Sequence, residues 1–456
     1  MTIHSRMLKM HPAVLIIASF LLVILAGVAL LMLPVSVRGQ DIGFVDALFT
    51  ATSAVCVTGL AVVDTGSFFS VFGQAVILVL IQIGGLGLMT ISVALFKWMG
   101  RSVSFRQRTV MQDLFAHTPR EDITSLVKSI LVFTAGVEAA GFVLLTLHWM
   151  GEYPPAEAAY MGLFHSVSAF CNAGFALFPD SLMRYGDSVL LNATVCLLIV
   201  IGGIGFPVLY DIQSWLAGRK GVRGRLSIQT KAVLVTTLIL IVSGALMFSL
   251  LELHSPHPDS TLSFRILSPL FQSVTCRTAG FNTVDIGTLK DATLTLMIFL
   301  MFFGASPGSC GGGVKTTTLA LLAAFTIGRI RKRRRVNMFR KSIPNETVTR
   351  SVSLVLVSLG FIGLAVFLLL AGDAVAEHEV AAPRGAFLTY MFETVSAFGT
   401  VGLSMGITPS LTTWGKLVIT GMMFIGRVGV LTFTYIVVGA GAVRGVEYSE
   451  ENLMIG

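Results

Sequence analysis

One short pattern occurs four times and sets what this chain can become. It reads Thr52-Ser53-Ala54-Val55-Cys56-Val57-Thr58-Gly59-Leu60, then Ser166-Val167-Ser168-Ala169-Phe170-Cys171-Asn172-Ala173-Gly174-Phe175. The third copy is Ser273-Val274-Thr275-Cys276-Arg277-Thr278-Ala279-Gly280-Phe281, and the fourth Thr394-Val395-Ser396-Ala397-Phe398-Gly399-Thr400-Val401-Gly402-Leu403. Aligned on their glycines the copies need no gap. Ser-Ala stands six and five residues before the glycine in the first, second and fourth copies, and Leu or Phe follows it in all four. The glycines lie 115, 106 and 122 residues apart, so the period covers nearly all of a 456-residue chain. A repeat that long implies one architecture built four times.

Composition places that architecture in a membrane. Apolar residues make up 54% of the chain and charged residues 12%, about half the charge of an average soluble protein. Apolar runs of 20 or more residues recur, as transmembrane helices require. The first, from Pro12 to Pro34, is longer than a signal-peptide core and reads as a retained span. The net charge of +8 is clustered. Lys97, Arg101, Arg106, Arg108 and Arg120 form one group, Arg219, Lys220, Arg223, Arg225 and Lys231 a second, and Arg329 through Arg331-Lys332-Arg333-Arg334-Arg335 to Arg340-Lys341 the densest. The alternate loops carry only Arg38, Arg184, Arg265, Lys290 and Arg384. The positive-inside rule then puts the dense loops and both termini in the cytoplasm. Basic loops this short, between spans, suit lipid head groups or a cytoplasmic partner rather than nucleic acid. The five cysteines have neither metal-ligand spacing nor a disulfide framework and read as small buried hydrophobes.

The fold class expected is an all-α integral membrane protein: four tandem helix–pore loop–helix repeats around one pseudo-fourfold pore. Repeat one is 1–120, with spans 12–34 and 73–98 and pore loop 42–60. Repeat two is 121–229, with spans 124–149 and 187–216 and pore loop 156–175. Repeat three is 230–345, with spans 230–252 and 289–327 and pore loop 264–281; repeat four is 346–456, with spans 347–372 and 413–441 and pore loop 384–403. The segments before each glycine are too short to cross, which leaves eight crossings and four half-helices. The inner spans carry Ile83-Gly84-Gly85-Leu86-Gly87, Ile201-Gly202-Gly203-Ile204-Gly205 and Ile425-Gly426-Arg427-Val428-Gly429, glycines that allow close helix approach. The third inner span reads Gly304-Ala305-Ser306-Pro307-Gly308-Ser309-Cys310-Gly311-Gly312-Gly313-Val314-Lys315 and cannot stay a regular helix. Broken backbone at membrane depth must be buried in protein or line a watery cavity, so only this inner span is expected to split around a loop at the pore axis.

Glycine lets a short run turn several carbonyls one way. Four such runs around an axis make a ring that can replace a cation's water shell, with the C-terminal, partly negative end of a short helix behind each. No ring of carboxylates accompanies the motifs, so a monovalent cation fits better than calcium. Asp64, Asp180 and Asp285, five or six residues past their glycines, are candidates for the mouth. Arg427 is a lone cation in an apolar span and is expected to face the pore. Lys315 faces either the pore or cytoplasmic water. Glu138, mid-span in repeat two, needs a partner; a hydrogen bond between helices or proton coupling would each supply a role. Arg277 reads as a scaffold residue hydrogen-bonded to carbonyls behind the filter.

These motifs resemble the selectivity-filter loops of the Trk/Ktr/HKT potassium transporter superfamily. The resemblance covers essentially the whole chain, and the absence of an extra helix pair before the first repeat makes it similar to the KtrB type of membrane subunit. It implies potassium uptake through an ion-binding filter formed by Val57, Thr58, Gly59, Asn172, Ala173, Gly174, Thr278, Ala279, Gly280, Thr400, Val401 and Gly402. It implies an intramembrane gate of Gly304, Gly308, Gly311, Gly312, Gly313 and Lys315 with Arg427 beside it. It further implies a homodimer in the bacterial cytoplasmic membrane, a KtrA/TrkA-like ring of cytoplasmic nucleotide-binding domains as regulator, and sodium as an activator. The loops 101–120, 219–229 and 329–341 are candidate docking surfaces for that ring. A proton-coupled carrier using Glu138 is the alternative. Gly308–Lys315 departs from a phosphate-binding loop because Val314 displaces the Lys, and it lies in a span rather than after a buried strand. The chain shows no catalytic cluster, no histidine metal site and no nucleotide-binding motif, so neither an enzyme nor a resident organic cofactor is expected.

Overall fold

Four short helices end inside the four motifs, and everything else is stacked around them. The structure, a computed structural model, describes residues 12–87, 123–216, 226–253, 261–333, 335–376 and 384–430. Both chain ends, the basic residues from Lys97 to Arg120, and Arg219, Lys220, Arg223 and Arg225 lie outside the described residues. Repeat one contributes α1 (Pro12–Leu31), α2 (Phe44–Val55) and α3 (Val71–Leu86). Repeat two contributes α4 (Ile123–Trp149), α5 (Pro155–Phe170), α6 (Val189–Ile204) and α7 (Phe206–Leu216). Repeat three contributes α8 (Ile228–Leu251), α9 (Leu262–Thr275), α10 (Asp291–Phe302) and α11 (Thr316–Ile330), followed by a hairpin of β1 (Val336–Met338) and β2 (Lys341–Ile343). Repeat four contributes α12 (Asn345–Ala376), α13 (Ala386–Gly399) and α14 (Thr413–Val428).

Local chemistry fixes several helix starts. The hydroxyls of Ser70, Ser188 and Thr412 each accept the N–H three residues on, capping α3, α6 and α14 at their first turn. Among the described residues, three helices are long and apolar enough to cross a membrane alone: Val127–Trp149, Ile228–Leu251 and Asn345–Val375. Their outward faces, and that of α1, carry bare apolar side chains: Leu22, Val132, Leu238 and Phe367 are 68%, 63%, 63% and 65% exposed. Such faces suit hydrocarbon and not water. This is a helical integral membrane protein.

The inner spans depart from the sequence expectation. The third breaks as expected, between α10 and α11. The second breaks too: α6 and α7 meet at 95° across Gly205. Gly205 has φ +96°, and Gly87 and Gly429, which end α3 and α14, have φ +81° and +96°. A left-handed residue stops a helix, and glycine adopts that conformation at least cost. The expectation that only one inner span is interrupted is therefore corrected.

Packing closes the molecule into a circle. In repeats one, two and four the outer, pore and inner helices all touch one another, and in repeat three α8 touches α9, α10 and α11. Between repeats the inner helix packs on the next pore helix: α3 on α5, α6 on α9, α10 on α13, and α14 back on α2. Lys416 on α14 and Asp46 on α2 add an ion pair of 2.6 Å to that last seam.

Candidate ion pathway

The motif residues two before each glycine share an unusual conformation. Val57, Asn172, Thr278 and Thr400 have φ of +58°, +59°, +76° and +50°, and the glycines that follow have φ of +93°, +70°, +79° and +92°. The residue between each pair is not left-handed. Alternating handedness turns successive peptide groups to one side, as in the concave backbone sites that bind ions. For a β-branched residue this conformation costs of order 1–3 kcal/mol. Four matched instances persist only because surrounding contacts hold them.

Those contacts explain the Ser-Ala pair. Ser53 Oγ accepts the Gly59 N–H at 3.0 Å, and Ser396 Oγ accepts the Gly402 N–H at 3.1 Å. In repeat two Ser168 Oγ donates to Phe175 O at 2.8 Å. Repeat three lacks Ser-Ala, and Thr275 Oγ1 donates to Phe281 O at 2.6 Å instead. The helix C-termini bond the same strands: the Thr58, Ala173 and Val401 N–H groups donate to Ser53, Ser168 and Ser396 O at 2.7–2.8 Å, and Ala279 N–H to Thr275 O at 2.9 Å. Leu60, Phe175, Phe281 and Leu403, the residues after the glycines, are all buried and anchor the outer ends.

The four loops form a closed ring. A Cβ on Gly59 would lie 2.3 Å from Ala173 O, one on Gly174 2.8 Å from Ala279 O, one on Gly280 2.4 Å from Val401 O, and one on Gly402 2.0 Å from Thr58 O. Each glycine thus abuts the carbonyl of the residue preceding the next glycine, in cyclic order, and no side chain fits between. A cavity of about 440 Å³ opens over the ring, lined by all four glycines. Asp64 also lines it, with its carboxylate held by the Ser67 N–H. Asp180 is paired with Arg184 at 2.9 Å, and Asp285 accepts the Gly287 N–H at 2.9 Å; neither lines the cavity. Of the three acids expected at the mouth, only Asp64 reaches it.

On the other side of the ring lies the broken third span. Gly312 N–H donates to Thr400 Oγ1 at 2.8 Å, and Gly313 N–H to Gly426 O at 3.2 Å. A Cβ on Gly311 would stand 2.2 Å from Thr278 Oγ1, and one on Gly304 2.6 Å from Thr278 Cγ2. The loop also bonds repeat two: Ser306 and Cys310 N–H donate to Gly203 and Gly202 O, and Phe206 N–H donates to Gly308 O at 3.0 Å. Gly308 rests against Pro207. The bend at Gly205 therefore wraps the loop, which links repeats two, three and four beneath the ring. Lys315 Nζ turns back and donates to Gly311 O at 2.7 Å and Gly312 O at 3.2 Å, so it braces its own loop. Arg427 donates through Nη1 to Cys310 O and through Nη2 to Gly84 O. One guanidinium joins the loop to the inner helices of repeats four and one.

Glu138 accepts from Gln82 Nε2 at 3.0 and 3.2 Å, which ties α4 to α3 close behind Cys171 of the second filter strand. Arg277 bonds the Thr237 hydroxyl at 3.2 Å rather than filter carbonyls, which corrects the expected partner and anchors the third strand to α8. The Asn172 amide lies 3.2 Å from Thr278 Oγ1; with its nitrogen donating to Ala169 O and Ile199 O, its oxygen accepts from that hydroxyl. The expected hydrogen bond between helices at Glu138 is present, with Gln82 as the partner the sequence did not name, while the left-handed residues and the wrap at Gly205 were missed. Val57, Asn172, Thr278 and Thr400 share a place two residues before their glycines, but that place alone does not signal a left-handed conformation. Cys56, Cys171, Cys276 and Cys310 are buried and, with half-buried Cys196, free of disulfides.

A single helical chain whose four re-entrant loops close one ring defines a membrane protein of the pore-loop class. The family described as TrkH, cation transport protein, matches residues 4–440, and this chain belongs to it. It is 40% identical over 444 residues to the Ktr system potassium uptake protein B of Vibrio alginolyticus, covering 97% of this chain and 94% of that one. It is 37% identical to the potassium/sodium uptake protein NtpJ of Enterococcus hirae, covering 98% of each. The crystal structure of the potassium transporter TrkH from Vibrio parahaemolyticus shares the fold, with a TM-score of 0.71 at 19% identity over 93% of this chain and 84% of that one. Membership makes the chain a transport protein and not an enzyme.

Proposed function

We propose that this chain is the ion-conducting subunit of a potassium uptake system. The carrying observation is the cyclic contact of Gly59, Gly174, Gly280 and Gly402, each with the carbonyl of the residue preceding the next glycine. A neutral carbonyl ring backed by four helix C-termini replaces the hydration shell of a monovalent cation and still releases it. The names of the full-length relatives favour potassium as that cation, and the NtpJ name favours a sodium effect.

In this reading Val57–Gly59, Asn172–Gly174, Thr278–Gly280 and Thr400–Gly402 select the ion. The 304–315 loop, with Lys315 and Arg427, is the barrier on the inner side. The repeat boundaries at 120, 229 and 345, a bacterial cytoplasmic membrane with both termini inside, a homodimer and a nucleotide-binding ring partner belong to the same reading. The relatives named for a Ktr system support a multi-component assembly. The proton-coupled alternative is weaker, because the Glu138 carboxylate is engaged by Gln82. The test is growth at low potassium in cells stripped of their own uptake systems, with and without a cognate ring subunit. Growth restored by the pair supports the reading; no growth and no potassium flux from well-expressed protein overturns it.

A further inference from the structure

Between Arg329 and Asn345 the chain holds eight basic residues and no acidic one. The structure folds this segment back on itself. After α11 the Arg333 N–H donates to Gly328 O at 2.9 Å, and Lys332 takes φ +54°, which reverses the chain. Val336 then packs with Leu321 and Val348, and Met338 and Ile343 close over them with Ala324 and Phe325. The hairpin therefore runs back along α11 instead of away from it.

Its turn is Phe339-Arg340, with φ of +49° and +65°. Two left-handed residues between paired strands are the tight turn that usually takes Asn-Gly. Here it presents an aromatic ring, 42% exposed, flanked by Arg340 and Lys341. Ile327 and Ile330 at the end of α11 are 51% and 76% exposed, Arg331, Lys332, Arg333 and Arg335 are exposed beside them, and the Arg329 guanidinium lies 5.2 Å from the Phe325 ring centre. Apolar tips set among bases that make no ion pair among the described residues match the boundary between acyl chains and anionic head groups. We propose that the 336–343 hairpin and the end of α11 form an anionic-phospholipid contact, with Phe339 seated at the acyl boundary and the surrounding bases on the phosphates. This rests on the cytoplasmic placement of the basic loops and goes beyond the pore reading.

The test uses the full chain carrying Phe339→Cys, labelled with a small fluorophore; four of the five native cysteines are buried. The labelled protein goes into phosphatidylcholine vesicles with and without phosphatidylglycerol. Lipid contact predicts protection from aqueous iodide and quenching by brominated lipid only when phosphatidylglycerol is present. That protection should weaken with salt and fall about fivefold for each base removed at Arg340 or Lys341. Equal iodide quenching in both vesicles overturns the proposal. So does protection that appears only on adding a cytoplasmic partner protein, which would make the hairpin a protein-docking surface. If the cysteine variant does not fold, native mass spectrometry of the unmodified chain decides: retention of phosphatidylglycerol over phosphatidylcholine, lost in R331Q/K332Q/K341Q, supports it, and no preference refutes it. Potassium flux reports separately on the pore.

Discussion

At the residue scale, the four ring glycines are constrained twice, by conformation and by space. Gly402 combines φ +92° with a carbonyl 2.0 Å from where its Cβ would be. Gly402→Ser must strain the backbone or displace Thr58 O. Strain of 1–3 kcal/mol at a site that discriminates between ions is enough to lower potassium-over-sodium selectivity about tenfold. Bi-ionic flux in vesicles reads this, and unchanged selectivity would remove Gly402 from the filter. Arg427 stands where repeats one and two have Gly85 and Gly203. Glutamine there keeps a donor but loses the charge and the reach to both Cys310 O and Gly84 O. Arg427→Gln is expected to raise basal cation flux severalfold, because a fixed positive charge near the path opposes cation passage by kilocalories; flux no higher than wild type would leave the arginine a purely structural brace. The four glycines, the Ser-Ala pairs and this arginine are legible in the sequence because each is a local departure from an apolar background. The left-handed Val57, Thr278 and Thr400 are not, since β-branched residues carry the opposite local preference and only the assembled ring imposes the conformation.

At the element scale, the third inner span and the second act together. The glycine-rich break at 304–315 is plain in the sequence, where a proline and five glycines rule out a helix. The 95° bend at Gly205 is not, because a glycine run in an apolar span reads equally as a site of close helix approach. Long-range contacts hold it: Gly308 O accepts the first N–H of α7, and Pro307 O lies 2.6 Å from where a Gly205 Cβ would stand. Gly205→Ala should therefore loosen the loop and raise flux without abolishing expression, whereas flux at the wild-type level would mean that the wrap does not hold the loop closed. Deleting part of 305–313 should raise flux further. Lower flux from folded protein would contradict a barrier role.

At the scale of the whole molecule, the pathway belongs to one chain. Each inner helix buttresses the next repeat's pore helix, and the same order appears in the glycine contacts. Membranes holding equal amounts of wild-type chain and a Gly280→Asp chain are therefore expected to keep about half the flux per chain, the value for independent pores. A collapse to near a quarter would show that two copies share a pathway. Sequence periodicity announced the four quarters, but their circular order and the α14–α2 seam depend on contacts between residues some 370 positions apart, such as Lys416 with Asp46.

That seam has a consequence for how the protein is made. Gly402 lies against Thr58 O, so the first strand of the ring waits for the last. While the ribosome is still extending the chain, three quarters of the filter stand with one flank open, their carbonyls and the α2 surface without the neighbour that seals them. The inserted intermediate must be shielded or transient until the fourth repeat arrives. A chain stopped after residue 345 is accordingly expected to carry no flux and to be cleared quickly from the membrane, as pulse–chase labelling would show.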